Sequence, residues 1–369
     1  MADTHISQAI HFAEDYLDHY QPYKGHWCYE DGCALTAAAD MYRATNNNRY
    51  GDFVLQYLSA RIEKDGTVDG YENELFSTDT INSGKSLFFA YEMTGENRYR
   101  SAIEYHMNRL RRHPRTNCGS FWHKDTYPNQ VWLDGLYMVQ PFYMEYEMRF
   151  NGMLNIPDIV QQFQNVRRNM WNPEKELNYH AWDESKTQPW CNSETGLSPN
   201  FWLRSTGWYL MALIDCIDLC DEQLYEHRRA LTDIFRECIR GIMKWQDPQS
   251  GLFYQVIDRA DVPGNYIETS GSSMIAYAVL KGARLQILSP EKYLPIGLKM
   301  FDRICETKLV RHEDTTLHLK DICKVAGLGP GNKRDGSVEY YLSEPVVEDD
   351  IKGAGPFIMA LSERIQAEI

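Results

Sequence analysis

Asp134 is a carboxylate inside an almost wholly apolar run, QVWLDGLYMVQPF at residues 130–142. Trp132, Leu133, Leu136, Tyr137 and Met138 surround it in sequence, and no Lys or Arg follows before Arg149. A charge buried without a partner is costly, so a carboxyl in this setting is expected to hold its proton near neutral pH. That is the property of a general acid. The start of a helix would act in the opposite direction by favouring the ionised form. Three other stretches carry convergent polar groups. GSFWHKDTYPNQ (119–130) supplies Trp122, His123, Lys124 and Asp125, and LNYHAWDES (177–185) supplies His180, Trp182, Asp183 and Glu184. NFWLRSTGWY (200–209) sets Trp202, Arg204 and Trp208 around Gly207, where the backbone can be approached closely. STDTINSGK (77–85) places Asp79 just before a helix. Each has a plainer reading beside the chemical one: Asp79 as a helix cap, His180 as a satisfied core histidine, Arg204 as a cation–π partner of tryptophan.

Other chemistries find little support. The sequence has no GxSxG, no phosphate-binding loop and no GxGxxG. Cys216, Cys220 and His227 lack a second ligand pair, so no metal site is expected, and Asp314 and His318 read as solvated surface. The 369-residue chain carries a net charge of −14, which argues against nucleic acid as a partner. Its 24 Tyr and 9 Trp suit either a large aromatic core or sugar recognition. Nine scattered cysteines and the start MADTHISQAIHFAEDYL, without a basic then apolar leader, suggest a reduced, cytoplasmic protein. The longest uncharged run, Thr269–Leu280, is twelve residues, too short to span a bilayer.

These residues need a scaffold, and the periodicity is helical. Helices are expected over Ala34–Ala44, Ser86–Thr94, Leu136–Phe150, Thr206–Leu219, Leu231–Trp245, Ser272–Leu288 and Phe357–Ile369. MYRATNNNRY (41–50) lies over AYEMTGENRY (90–99) at an offset of 49 residues, about one helical hairpin. A turn glycine (Gly66, Gly119, Gly251, Gly336) precedes an acid (Asp79, Asp134, Glu268, Asp350) by 13 to 17 residues, and most of these acids open a small-residue helix. Stacked hairpins of this kind close into a toroid or run on as a solenoid. Closure is the expectation: an all-α (α/α)6 barrel, a double ring of inner and outer helices, as one domain over residues 1–369. Small residues would line the crowded inner ring, with each acid at one mouth.

Taken together, DTINSGK, HKDTYPNQVWLDGLYM, YHAWDES, WLRSTGWYLMAL and DDIKGAGPFIMA resemble glycoside hydrolase family 105, the unsaturated rhamnogalacturonyl hydrolases. The resemblance runs from about residue 25 to the C-terminus. One departure is Ser205, where the family commonly has glycine, and it is expected to reshape a loop near the substrate. The resemblance implies the (α/α)6 barrel and an oligosaccharide substrate left by a pectin lyase, with a C4=C5 double bond in its terminal uronic acid. It implies Asp134 as catalytic acid/base and Asp79 as the second acidic residue. His123 and His180 would contact the ring, and Trp132, Trp202 and Trp208 would stack the sugar. Arg204, with Lys124, would bind the uronate carboxylate. No metal or organic cofactor is implied. The expected partner is a small unsaturated oligosaccharide, with no nucleic acid and no membrane, and a monomer is compatible with the chain. The sister activity on unsaturated glucuronyl disaccharides and a helical-repeat binding protein stand as alternatives.

Overall fold

The computed structural model of the chain describes residues 2–71, 75–329 and 333–367. Its helices are α1 (Ala2–Asp18), α2 (Tyr29–Thr45), α3 (Asn48–Arg61), α4 (Asp79–Asn82), α5 (Lys85–Thr94), α6 (Asn97–Arg111) and α7 (Leu133–Phe150). After them come α8 (Ile156–Met170), α9 (Leu203–Leu219), α10 (Tyr225–Ile242), α11 (Thr269–Arg284), α12 (Pro290–Thr307), α13 (Val338–Ser343) and α14 (Ile351–Gln366). The inner ring runs α2, α4 with α5, α7, α9, α11 and α14, and α14 closes it by packing on α2. Helices α1, α3, α6, α8, α10 and α12 pack outside these, so the chain alternates between outer and inner positions around an (α/α)6 barrel. Short strands pair antiparallel within the connections. They are β1 (Gln130–Trp132) with β4 (Ala181–Asp183), β2 (Trp171–Asn172) with β3 (Leu177–Asn178), β5 (Leu309–Arg311) with β6 (Leu317–Leu319), and β7 (Ile322–Cys323) with β8 (Val346–Val347).

Composition decides which ring a helix joins. α11 is buried continuously from Thr269 to Ala283, and a helix without a polar face belongs inside. Outer α10 buries only a stripe, Leu231, Ile234, Phe235, Cys238, Ile239 and Ile242, and leaves its charges outside. Small residues let the inner helices touch: a Cβ on Gly32 of α2 would lie 2.5 Å from Ser83 Oγ and 2.8 Å from Ser83 Cα.

The two recurrences have different structural meanings. The 49-residue repeat is the link between an inner and an outer helix. Thr45 and Thr94 each bond back to the carbonyl four residues earlier, and Asn46 and Gly95 take the left-handed conformation that ends the helix. The four turn glycines all have positive φ, as a glycine signal predicts. The four acids that follow them divide by role. Glu268 accepts from the backbone N–H groups of Ser270 and Gly271, and Asp350 from that of Lys352, as helix caps. Asp79 and Asp134 stand in the first turns of α4 and α7 and make no such cap bond.

Six of the seven expected helices lie in the inner ring, and each begins earlier than its apolar periodicity indicates. The helix expected from Ala34 starts at Tyr29, that from Thr206 at Leu203 and that from Phe357 at Ile351. The last two residues of the expected Phe357–Ile369 helix lie outside the described residues. The added turns hold Glu30, Asp31, Arg204 and Lys352, polar side chains that interrupt the apolar pattern. The outer helices α1, α3, α6, α8 and α12 have no counterpart among the expected segments. No described helix is long and apolar enough to cross a membrane, and all nine cysteines are free thiols.

The C-terminal ends of the inner helices enclose a cavity of about 340 Å³, lined by Asp40, Lys85, Glu145, Asp215, Lys281 and Glu363 among others. It lies at the end of the barrel away from Asp79 and Asp134. Outside this cavity, the packing of α6 against the inner ring buries a titratable group. His106 on α6 is fully buried against Trp27, Tyr71 and Phe142, with Nδ1 2.8 Å from the Ala102 carbonyl, and burial pushes its pKa down to about 4. A depressed imidazole contributes stability that is complete above its unfolded value and is lost as pH falls, because the unfolded chain takes the proton first. His106→Phe, which keeps a ring in this aromatic nest, should therefore lose less stability between pH 6.5 and 4 than the parent. The expected difference is about 3 kcal/mol, read from denaturant unfolding across that window. Parallel curves for the two proteins would refute the assignment.

Candidate active site

The N-terminal mouth is assembled by loops pinned to one another through backbone bonds. Phe76 and Asp125 exchange two bonds, from Phe76 N to Asp125 Oδ2 at 2.8 Å and from Asp125 N to the Phe76 carbonyl at 2.9 Å. Thr78 N and Oγ1 both donate to the His123 carbonyl, at 3.0 and 2.9 Å, and His123 N donates to Gln130 O at 2.7 Å. This ladder carries Asp79 to Lys124 and His123. Lys124 Nζ lies 2.7 Å from Asp79 Oδ2, and His123 Nε2 lies 3.9 Å from Oδ1. Burial alone would raise the Asp79 pKa, but Lys124 and His123 outweigh it and hold the carboxyl below its ordinary value. Asp79 is thus an ionised group in an ion pair. Burial pushes His123 down to about 4, against the pull of Asp79, so the imidazole is neutral.

A second pinning positions Asp134. Strand β1 pairs with β4, placing Trp132 opposite Ala181, and Leu133 N donates to the His180 carbonyl at 3.1 Å. Asp134 Oδ2 then lies 3.3 Å from His180 Nε2. Both atoms are buried, and neither has a hydrogen-bond partner. His180 Nδ1 sits 2.7 Å from the hydroxyl of Tyr341, whose pKa is raised far above ordinary by burial, so it keeps its proton. The Tyr341 hydroxyl thus fixes the Nδ1 edge of the ring and turns its Nε2 edge toward Asp134. Among the described residues, no Lys or Arg forms an ion pair with Asp134. One mouth therefore holds two carboxylates in opposite surroundings, one beside an ammonium and one beside an imidazole.

The aromatic residues are placed differently from the expectation. Trp132 stacks on His123 at 4.4 Å and on Tyr127 at 5.2 Å, and the backbone of Gly327 approaches its six-membered ring. Trp202 is packed with His180 and Tyr341, and the Arg204 guanidinium lies 4.7 Å from its ring centroid. Trp208 lies one turn deeper in α9, stacked on Tyr137 at 4.6 Å and 2% exposed. The three tryptophans expected to offer sugar-stacking faces are thus buried against protein. Trp132 and Trp202 back the two histidines and Arg204, and Trp208 belongs to the core. The physical reason is that each indole gains more by packing on neighbouring rings, His123 and Tyr127, His180 and Tyr341, or Tyr137, than by facing solvent.

Arg204 is on α9 and is buried. Its Nη1 donates to Ser270 Oγ at 3.3 Å and to the Cys323 carbonyl. Burial opposes its charge, but Cys323, Glu268 and Tyr29 outweigh that effect and keep it cationic. Lys124, the second cation expected for the uronate, is instead engaged by Asp79. Ser205 does not reshape a loop: it lies in the first turn of α9, and its hydroxyl bonds the Trp202 carbonyl at 2.8 Å. The structure also brings in residues that sequence patterning missed. Tyr341 is 161 positions from His180, and no local signal links them. Lys352 lies in DDIKGAGPF, a stretch whose small residues mark the helix but do not single out the lysine. Its Nζ is 2.8 Å from both Asp350 and the Tyr23 hydroxyl. Burial lowers its pKa, and the charge of Arg204 adds to that effect.

Comparison with known proteins bears on this arrangement. The family model described as Glycosyl Hydrolase Family 88 matches residues 4–368. A solved structure of a family 105 glycoside hydrolase from C. acetobutylicum superposes with a TM-score of 0.93 at 41% identity, covering 97% of this chain and 99% of the other. The unsaturated rhamnogalacturonyl hydrolase YesR of Bacillus subtilis is 25% identical over 274 residues, 73% of this chain and 74% of its own. An unsaturated glucuronyl hydrolase from Bacillus sp. GL1, responsible for glycosaminoglycan degradation, shares the fold with a TM-score of 0.63 at 13% identity, over 98% and 96% of the two chains.

Proposed function

The chain belongs to glycosyl hydrolase family 88, in company with family 105, and on that premise we propose that it removes a Δ4,5-unsaturated galacturonic acid from the non-reducing end of short pectin-lyase products of the ΔGalA–Rha type. The observation that carries this reading is the pair of carboxylates at one mouth. Asp79 is held ionised by Lys124, while Asp134 pairs with no Lys or Arg among the described residues and stands against the His180 imidazole. Two carboxyl groups in opposed environments divide into a proton donor and a fixed negative partner. The identity with YesR supports the galacturonyl substrate.

Asp134 delivers a proton to C4 of the vinyl ether, and oxocarbenium character develops at C5. The ionised Asp134 then takes a proton from the water that adds at C5. The hemiketal opens to a C5 ketone, leaving the C1 hemiacetal, which expels the aglycone as an alcohol. His180, oriented by Tyr341, stands 3.3 Å from the Asp134 oxygen and sets its electrostatic surroundings. Asp79 accepts bonds from ring hydroxyls or the attacking water. Because the reacting bond is C4=C5, the carboxylate-separation rule for ordinary glycosidases does not govern this site. Arg204 binds the uronate carboxylate through N–H groups other than Nη1, with Lys352 adding positive field. The nine free cysteines suit work in a reducing compartment.

The test is incubation with ΔGalA–Rha and with an unsaturated chondroitin disaccharide, following free rhamnose and loss of the double-bond absorbance. Release of rhamnose with little turnover of the chondroitin disaccharide is expected. The reverse preference would assign the glucuronyl activity. Arg204→Lys tests the carboxylate contact. A lysine cannot reproduce the planar fork, so KM should rise about tenfold with kcat within a few-fold. Trp202→Phe should change KM less. Equal small effects in both variants would remove Arg204 from that role.

A further inference from the structure

The hairpin β5–β6 and the segment entering α14 bring together side chains that the hydrolytic reading does not use. His312 Nε2 lies 3.2 Å from Glu348 Oε2, and the rings of His312 and His318 stack with centroids 4.0 Å apart. One donor atom from each of His312, His318 and Glu348 falls within 4.8 Å of the others. We propose that these three residues form a binding site for a borderline divalent transition ion of the zinc, cobalt or nickel class.

The surroundings of the donors favour this. His318 Nδ1 is 2.5 Å from Asp349 Oδ2, and Asp349 Oδ1 in turn accepts from Leu319 N at 2.7 Å. A carboxylate on one imidazole nitrogen fixes the tautomer and presents the other nitrogen as ligand, the usual support of a metal-bound histidine. The Asp349 backbone is tied as well, with N donating to the Leu319 carbonyl at 2.9 Å and its own carbonyl accepting from Tyr16 at 3.0 Å. His318 Nε2 lies 2.6 Å from Thr316 Oγ1. That hydroxyl has a second acceptor, Asp314 Oδ1, at 2.6 Å, so releasing Nε2 to an ion leaves no group unpaired. Ligands of a tetrahedral zinc ion stand about 3.3 Å apart, so the donors must close by roughly 1 Å or more. His312 and Glu348 side chains are 45% and 40% exposed and have room to make that adjustment.

Two imidazoles and one carboxylate select a borderline ion over magnesium or calcium, which prefer all-oxygen shells. Water would complete the coordination. The ion would clip the hairpin to Glu348, two residues before Asp350, which caps α14 and binds Lys352 at the mouth. Its effect would thus be on the stability of the mouth. In sequence His318 reads as solvated surface, because its partners come from a hairpin neighbour and a segment 30 residues away.

The test uses tag-free, chelator-treated full-length protein. Titration with Zn²⁺ by calorimetry should show one saturable equivalent, Co²⁺ should give the d–d absorption of a low-coordinate site, and Tm should rise with either ion. Mg²⁺ should do neither. The double variant His312→Ala/His318→Ala should abolish the Co²⁺ band. Asp349→Asn, which retains all three ligands, should weaken affinity by about tenfold to a hundredfold. Absence of a one-equivalent site up to millimolar Zn²⁺, or an unchanged Co²⁺ band in the double variant, would overturn the proposal.

Discussion

Asp134→Asn should fold as the parent does and lose turnover of an unsaturated disaccharide by a factor of roughly 10³ or more. The first half follows from what Asp134 does not do. It caps no helix end by a side-chain bond, and Asn preserves its shape. Its Oδ2 has no hydrogen-bond partner to lose. The second half follows from its chemistry: an amide has no proton to give C4 and no charge with which to accept one from water. The measurement is kcat on ΔGalA–Rha, with Tm as control. Parent-like turnover at parent-like Tm would mean that the proton comes from elsewhere and would sink the mechanism.

Asp79→Asn carries the second-largest expected effect. Here the side chain is one half of a close ion pair, and the variant leaves the Lys124 ammonium without that partner. Lys124 is 31% exposed on its side chain, so it can be rehydrated, and stability should fall by no more than about 1 kcal/mol. Activity should suffer more. A fixed anion that orients water or ring hydroxyls acts in the transition state, so kcat and kcat/KM should fall together by roughly 10². Lys124→Met would show a smaller loss of kcat, because it leaves the carboxylate in place. A raised KM with unchanged kcat in Asp79→Asn would confine the residue to gripping the substrate.

Much of this site was legible before any coordinates. Asp134 stands out because it sits in an apolar run with no Lys or Arg following before Arg149, and none of the described Lys or Arg residues pairs with it in space. Asp79 looked equally able to be a helix cap, and the structure separates the two readings by pairing it with Lys124. The tryptophans depend on tertiary packing. An aromatic residue in a polar motif signals contact with something flat, but whether that partner is a sugar or a neighbouring imidazole is a question of three-dimensional packing. For Trp132 the partner is His123, and for Trp208 it is Tyr137.

The chain order and apolar content of the inner helices were set by the sequence itself. Fifteen consecutive buried positions in α11 have no other place than inside a ring. The turn glycines and the threonine-linked hairpin repeat were equally local, since each depends on the conformational preferences of a few adjacent residues. Other features required closure of the barrel. The apolar period failed in the first turn of inner helices, because Glu30, Arg204 and Lys352 are polar by virtue of facing a shared mouth and not a solvent face. The pairing of His180 with Tyr341, and of Asp79 with Lys124, joins residues that are far apart along the chain or lie on separate loops. Periodicity reports the environment of a residue relative to its own helix, whereas a protonation state depends on which charges arrive from other helices. That is why the sequence could nominate both carboxylates, and only the closed ring could assign them different partners.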